Sequence, residues 1–221
     1  MINDDRNRFI HQHIELYGEE LFLDSLPYKT RGKPFGLTKT ARLDSLSLKV
    51  KNEIISKTDL LEKKIVFGSG DPDADLLIIG ESPSDYEIEH NKIFLGQSGK
   101  LLDKILKAIG FNRFLKVYLT HLIKCKIDGS RDPLKSEINR FIPFLSKQIE
   151  IIDPKIIVGL GKVVGKALTG ENLSMDKMRS KNYSFSSIPL KITYSPSTLI
   201  REQSLKKLAW EDFKFIRDFI N

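Results

Sequence analysis

At 221 residues the chain has room for one compact α/β domain with a short appendage, and its 40% apolar content is enough to bury a core. Its 36 Lys and Arg against 29 Asp and Glu leave a net charge of +7, the sign expected of a protein that meets a polyanion. A single cysteine, Cys125, excludes an internal disulfide framework, and no apolar run approaches the roughly 20 residues of a membrane span.

Taken in chain order, residues 1–26 read as a helix interrupted near Gly18, with Phe9, Ile10, Ile14, Leu21 and Phe22 set among charges. Residues 27–40 (PYKTRGKPFGLTKT), punctuated by Pro and Gly and rich in Lys and Arg, read as a linker or basic loop. A helix starting at Thr40 or Asp44 follows, with Leu43, Leu46, Val50 and Ile54 on one face. The expected division is therefore an N-terminal helical, basic extension over 1–41 and one domain over 42–221.

From residue 64 the pattern turns to alternating strands and helices. Leu76–Ile79 is a short apolar run of the buried-strand kind, ending in GESPS. After a polar stretch, GQSGKLLDKILKAIG reads as a helix with a Gly-rich start. Val117–Ile123 is a second strand and Asp132–Ile151 a second long helix, with Pro133 at its first turn. Lys155–Leu160 is a third strand, Gly161–Leu168 a helix, Ile188–Tyr194 a fourth strand and Ser204–Phe219 a closing helix. This alternation predicts an α/β fold with a parallel sheet and helices on both faces. Ligands bind beyond the carboxyl ends of such strands, which points to residues 80–99, 120–131, 161–165 and 195–201.

Three segments there carry chemistry. Gly80-Glu81-Ser82-Pro83-Ser84-Asp85-Tyr86-Glu87 places three carboxylates within seven residues of one another, directly after a buried strand. Phe94-Leu95-Gly96-Gln97-Ser98-Gly99-Lys100 sets small residues at a helix N-terminus, where free backbone N–H groups suit a phosphate, behind an aromatic able to stack on a base. It is no P-loop: Phe94 stands at the required first glycine and Leu101 replaces the Ser or Thr. Ser195-Pro196-Ser197-Thr198-Leu199-Ile200-Arg201 has the composition of a loop that presses on DNA. No G-x-S-x-G elbow surrounds Ser195, so a hydrolase triad is not indicated. His11, His13, His90 and His121 are too scattered for a zinc site, and no metal is expected.

Together the segments GESPSDYE, IFLGQSGKLLDKIL, VYLTHLIKCKIDGSRDPLKSE, PKIIVGLG, SPSTLIR and WEDF stand in the order of a known pattern. The chain resembles the family 4 uracil-DNA glycosylases, the thermostable iron–sulfur class, over about residues 42–219, in ungapped register from Gly80 to Pro143. The resemblance implies a three-layer α/β/α sandwich with a four-stranded parallel sheet. It puts Glu81 and Glu87 on the acids that activate water and stabilise a sugar cation, with Asp85 as a neighbouring candidate. It puts Phe94 on the aromatic that stacks on a flipped base, with Ser82 beside it. Gly96, Gln97, Ser98 and Gly99 fall on the phosphate-gripping turn, and Ser197 and Arg201 on the DNA-wedge loop.

Three departures bear on function. The family holds its cluster through four cysteines, and only Cys125 remains; Phe141 falls on the fourth ligand position and the first two fall near Glu53 and Ser56. No iron–sulfur cluster is therefore expected. The Asn that reads uracil is His121, and the catalytic-loop His is Ser195. The expected activity is a DNA glycosylase acting on a flipped uracil or, in preference, an altered base. The rival expectation is a catalytically weak member of the fold that binds DNA or senses lesions. DNA is the expected partner, the chain a monomer without membrane attachment, and the cytoplasm its expected location, since MINDDRNRF has no signal-peptide core.

Overall fold

The computed structural model describes residues 37–57, 64–127, 129 and 131–221. The expected helix over 1–26 and most of the basic loop lie outside the described residues. Helix α1 spans Lys39–Lys57, so it starts one residue before Thr40, the earlier of the two starts read from the sequence.

The sheet has six strands: β1 (Ser69–Gly70), β2 (Leu76–Gly80), β3 (Val117–His121), β4 (Ile156–Leu160), β5 (Tyr183–Phe185) and β6 (Ile188–Thr193), in the order β1-β3-β2-β4-β6-β5. The expected four parallel strands are the inner four, paired Leu76 with Val117, Leu76 with Ile156 and Ile157 with Leu190. Short antiparallel strands β1 and β5 cap the two edges. Two and three residues long, they carry too little alternation to be read from the chain.

The helices are α2 (Asp85–His90), α3 (Gly96–Ala108), α4 (Lys135–Ile152), α5 (Lys162–Thr169), α6 (Met175–Arg179), α7 (Pro196–Arg201) and α8 (Lys206–Ile220), the last preceded by a 3₁₀ turn at Gln203–Leu205. The long middle helix begins at Lys135 rather than Asp132. Glu137 reaches back to accept from the Leu134 N–H at 2.7 Å, which fixes the start after Pro133.

Strand alternation sorts the core into two layers. Leu77, Ile79, Ile157, Leu190 and Ile192 face α1, α4, α5 and α6, where they meet Leu46, Val50, Leu145, Ile149, Val164 and Met178. Leu76, Ile78, Leu119, Ile156 and Val158 face α3 and α8, against Leu102, Leu106, Phe213 and Ile216. Each such burial contributes about 1.5–3 kcal/mol. The result is the three-layer α/β/α sandwich expected. Because β3 lies on one side of β2 and β4 on the other, the sheet switches direction at β2, and a crevice opens beyond Gly80.

Two buried polar knots hold the strand ends that face this crevice. Lys124, fully buried, donates to the His121 carbonyl at 2.8 Å, to Gln148 Oε1 at 2.7 Å and to Thr120 Oγ1, tying the end of β3 to α4. Burial holds its pKa well below the ordinary lysine value. Asp212 on α8 accepts from Thr193 Oγ1 and from Arg179 Nε, each at 2.6 Å, and so braces the end of β6. No helix among the described residues is long and apolar enough to cross a membrane.

Candidate active site

The carboxyl ends of β2, β3, β4 and β6 open into a cleft of about 650 Å³. Of the residues singled out in the sequence, Glu81, Ser82, Glu87, Phe94, Ser98, His121, Ser195, Ser197 and Arg201 line it. They come from four separate segments, brought together by the sheet.

One corner is a closed hydrogen-bond knot. Ser84 caps α2 in a capping box with Glu87. Glu87 Oε2 accepts from the Ser84 N–H at 2.8 Å and from the Ser84 hydroxyl at 2.7 Å. Oε1 accepts from the Phe94 N–H and lies 3.2 Å from His121 Nε2. Glu87 is 6% exposed. Burial alone would raise its pKa, but the hydrogen bonds from His121 and Ser84 outweigh that and hold it at about 2. An ionised carboxylate only accepts, so His121 donates through Nε2–H and its Nδ1 is the bare nitrogen. Burial, helped by the Lys124 charge, lowers the His121 pKa against the pull of Glu87, so the imidazole is neutral at pH 7.

His121 is itself 3% exposed, and its Nδ1 is covered with no hydrogen-bond partner among the described residues. The reason is Gly80: a Cβ there would stand 2.5 Å from Nδ1 and 2.7 Å from the Phe94 ring, so only glycine lets β2 pass. The Phe94 and His121 rings pack at 4.9 Å between centroids. His121 stands at the position of the family's base-reading Asn and lines the cleft. With one nitrogen spent on Glu87 and the other covered, it does not offer the cleft a hydrogen-bonding edge as an asparagine amide would.

The loop bearing Phe94 is equally fixed. Phe94 has φ +49°, an uncommon conformation for a non-glycine residue. Arg113 holds it by donating to the carbonyls of Ile93 and Phe94, both at 3.2 Å. A Cβ at position 99 would sit 1.8 Å from the Phe94 carbonyl oxygen, which requires glycine there.

The rest of the lining is less tied. Glu81 is half-buried, and its carboxylate accepts no hydrogen bond among the described residues. Desolvation raises its pKa, and the nearby Asp132 carboxylate raises it further. Ser195 caps α7: its Oγ accepts from the Thr198 N–H at 3.3 Å and lies 2.9 Å from both the Ser197 and Thr198 hydroxyls. Lys162, Lys166 and Arg201 stand at the rim with no ion-pair partner among the described residues.

Several expected residues fall elsewhere. Asp85 opens α2 with its side chain in solvent, paired with Lys126, and does not line the cleft. The capping geometry turns Glu87 inward and therefore its neighbour two residues back outward. Gln97 is exposed beside the cleft, while Gly96 and Gly99 line an adjoining groove. Sequence reasoning missed Asp132, Lys166 and Asn172 and reached Lys162 only through the segment 161–165; all four line the cleft. The i, i+4 spacing of Lys162 and Lys166 directly after a strand was the one available signal for this face.

A family model for the uracil DNA glycosylase superfamily matches residues 67–214. The chain belongs to this superfamily. It is 38% identical over 189 residues to the Type-4 uracil-DNA glycosylase of Sulfurisphaera tokodaii, covering 80% of this chain and 85% of that one. The Type-4 uracil-DNA glycosylase of Saccharolobus solfataricus is 33% identical over 168 residues, 72% of this chain and 77% of its own. That of Thermotoga maritima is 30% identical over 190 residues, 83% and 97%.

The residues present do not fit the four-thiolate cluster that the iron–sulfur class of this superfamily implies. The chain has one cysteine, and Cys125 is buried in the same apolar core as Leu46, Val50 and Phe141. Among the described residues no group of three or more His, Cys, Asp or Glu could hold a metal ion.

Proposed function

We propose that this protein hydrolyses the N-glycosidic bond of a nucleotide turned out of DNA into the cleft, taking uracil or, in preference, an altered base. The observation that carries the reading is Glu81: a half-buried carboxylate at the switch point of the sheet, with a raised pKa and no internal partner among the described residues. The names of the superfamily relatives support the reaction class.

In this reading the bond from C1′ to the base nitrogen breaks, and its electrons leave with the base. The sugar carries the positive charge that develops, and the Glu81 carboxylate stabilises it. A water then adds to C1′ and gives its proton to Glu81, whose raised pKa brings it closer to neutrality and makes it the better base. Ser195 offers a hydroxyl donor toward the departing base. Arg201, Lys162 and Lys166 hold the phosphates at the rim, with the free N–H groups at the start of α3 near Ser98. Glu87 and His121 set the Phe94 wall against which the base rests. A serine in place of a longer imidazole leaves room for a bulkier base, and His121 lacks the two-sided amide that would select uracil, which together favour an altered base.

The reading also leaves out an iron–sulfur cluster, on the ground of the single cysteine. Iron analysis of protein purified without oxygen tests this, with negligible iron expected and stoichiometric iron overturning it. A second reading, binding without cleavage, is favoured by one observation: the Ser195 hydroxyl is shared with Ser197 and Thr198 and so is a weaker donor to a leaving base. Oligonucleotides carrying uracil, hypoxanthine or modified cytosines, incubated with the protein and then treated with alkali, separate the two. Strand breaks at one altered base, lost in Glu81→Gln, support the glycosylase. Binding with no breaks on any substrate overturns it.

A further inference from the structure

Adjoining the cleft is a second groove of about 960 Å³, and Phe94 and Leu95 line both, so the two lie side by side. Its walls interleave rings and cations: Tyr86 from α2, Phe111 and Phe114 from the turn between α3 and β3, and Lys92, Lys100 and Lys107. A single exposed aromatic is ordinary on a protein surface. Here the exposure is maintained by construction. Phe114 is 80% exposed, yet its N–H donates to Asn112 Oδ1 at 2.9 Å, and the Leu115 N–H donates to the Asn112 carbonyl at 3.2 Å. The intervening Arg113 binds Asp103 at 2.7 Å and the carbonyls of Ile93 and Phe94. One turn thus presents Phe114 to water and locks the loop that shapes the cleft. Tyr86, 52% exposed, leans on His90 with ring centroids 4.2 Å apart.

The charge is one-sided. Arg113 and Asp103 neutralise each other, and Lys92, Lys100 and Lys107 have no carboxylate partner among the described residues. A ligand matching this surface carries flat apolar rings and regularly spaced negative charge on one flexible chain. An unpaired nucleic-acid strand has both, whereas a duplex hides its ring faces in the stack and an acidic peptide offers little to stack.

We propose that this groove holds a single strand of DNA running out of the cleft, its bases stacked on Tyr86 and Phe114 and its phosphates beside Lys92, Lys100 and Lys107. The strand continues from the nucleotide in the cleft, so the proposal rests on the glycosylase reading. Stacking of this kind tolerates any base, and the groove therefore adds affinity for unpaired DNA without sequence preference.

The test compares wild type with Phe114→Ala, Tyr86→Ala and Lys107→Gln on two probes: a single strand with a stable abasic-site analogue, and the same strand in a duplex. Each aromatic variant is expected to weaken single-strand binding about tenfold and leave duplex binding nearly unchanged. Lys107→Gln is expected to reduce the slope of log affinity against log salt by about 0.7 on the single strand. Unpaired tails on duplex probes should strengthen binding when added to one side of the abasic site and not the other. Equal losses on both probes, no loss on either, or indifference to both tails overturns the groove while leaving the glycosylase reading intact. Loss of all DNA binding in wild type overturns both. The three side chains lie outside the proposed chemistry, so excision from duplex DNA at saturation is expected to be unchanged. A drop there would place the turn in the catalytic machinery instead.

Discussion

Glu81 and Glu87 lie six residues apart in one loop-and-helix segment, line the same cleft, and are opposites in physical state. Glu87 spends both oxygens on Ser84, Phe94 and His121, and those bonds hold it ionised. Glu81 has no such partners among the described residues, and burial with Asp132 nearby pushes its pKa the other way. A carboxylate whose lone pairs are all satisfied is a structural strut, since using it for chemistry means breaking the bonds that position it. An unsatisfied one in a partly dry cleft keeps its affinity for a proton or a developing cation. Two acids that look interchangeable in the chain thus divide into a scaffold and a candidate reagent.

The contrast is broken or sharpened most forcefully by replacing each acid with its amide. Glu81→Gln should lower excision by about 10²–10⁴-fold while melting temperature and DNA affinity stay near wild type. A variant that cuts normally would remove Glu81 from the chemistry. Glu87→Gln should show the reverse emphasis. It replaces an acceptor of charge-assisted bonds, at a cost of about 2–3 kcal/mol, or roughly 5–10 °C in melting temperature for a chain of this size. Unchanged thermal stability would mean the knot contributes nothing.

Acid sensitivity separates the two more finely. The Glu87 carboxyl titrates at about 2 in the folded protein against 4.5 unfolded, so on acidification the unfolded chain takes up the proton first. Its stabilisation should be complete above pH 4.5 and decline as pH falls toward 2. Melting curves across that window should show the decline in wild type and a flatter course in Glu87→Gln. The smallest effect expected is on the acid limb of kcat/KM. With Glu81 raised by burial and by Asp132, that limb should lie above pH 4.5, and Asp132→Asn should move it to lower pH by relieving the repulsion. A limb that moves upward, or stays in place, would show that another group controls the rate.

Much of this architecture is legible in the amino-acid sequence. The runs Leu76–Ile79 and Lys155–Leu160 are short, apolar and bounded by turn residues, and Ile188–Tyr194 is short and rich in β-branched residues, which reads as strands between amphipathic helices. The motif order puts Glu81 directly after β2 and Ser195 two residues after β6, and the fold brings both to one cleft with Phe94 from the loop before α3. The edge strands β1 and β5 and the helix α2 were not legible, because two to six residues hold too few periods to stand out. Asp132, Lys166 and Asn172 were missed for a different reason: Asp132 is one of many polar residues in its motif segment, and Lys166 and Asn172 lie outside every motif.

What the amino-acid sequence determined by itself is therefore the layer order, the parallel inner sheet and the set of segments that meet at its carboxyl edge. These follow from hydrophobic period and chain connectivity, which are local properties. The roles within that set were decided by tertiary structure. Whether a carboxylate faces Ser84 or open water, whether His121 is spent on Glu87 and sealed by Gly80, and whether Asp85 turns out to Lys126 depend on groups distant in the chain and on burial. Partner and solvent exposure set the charge state of an acid, and neither is a property of the residue alone.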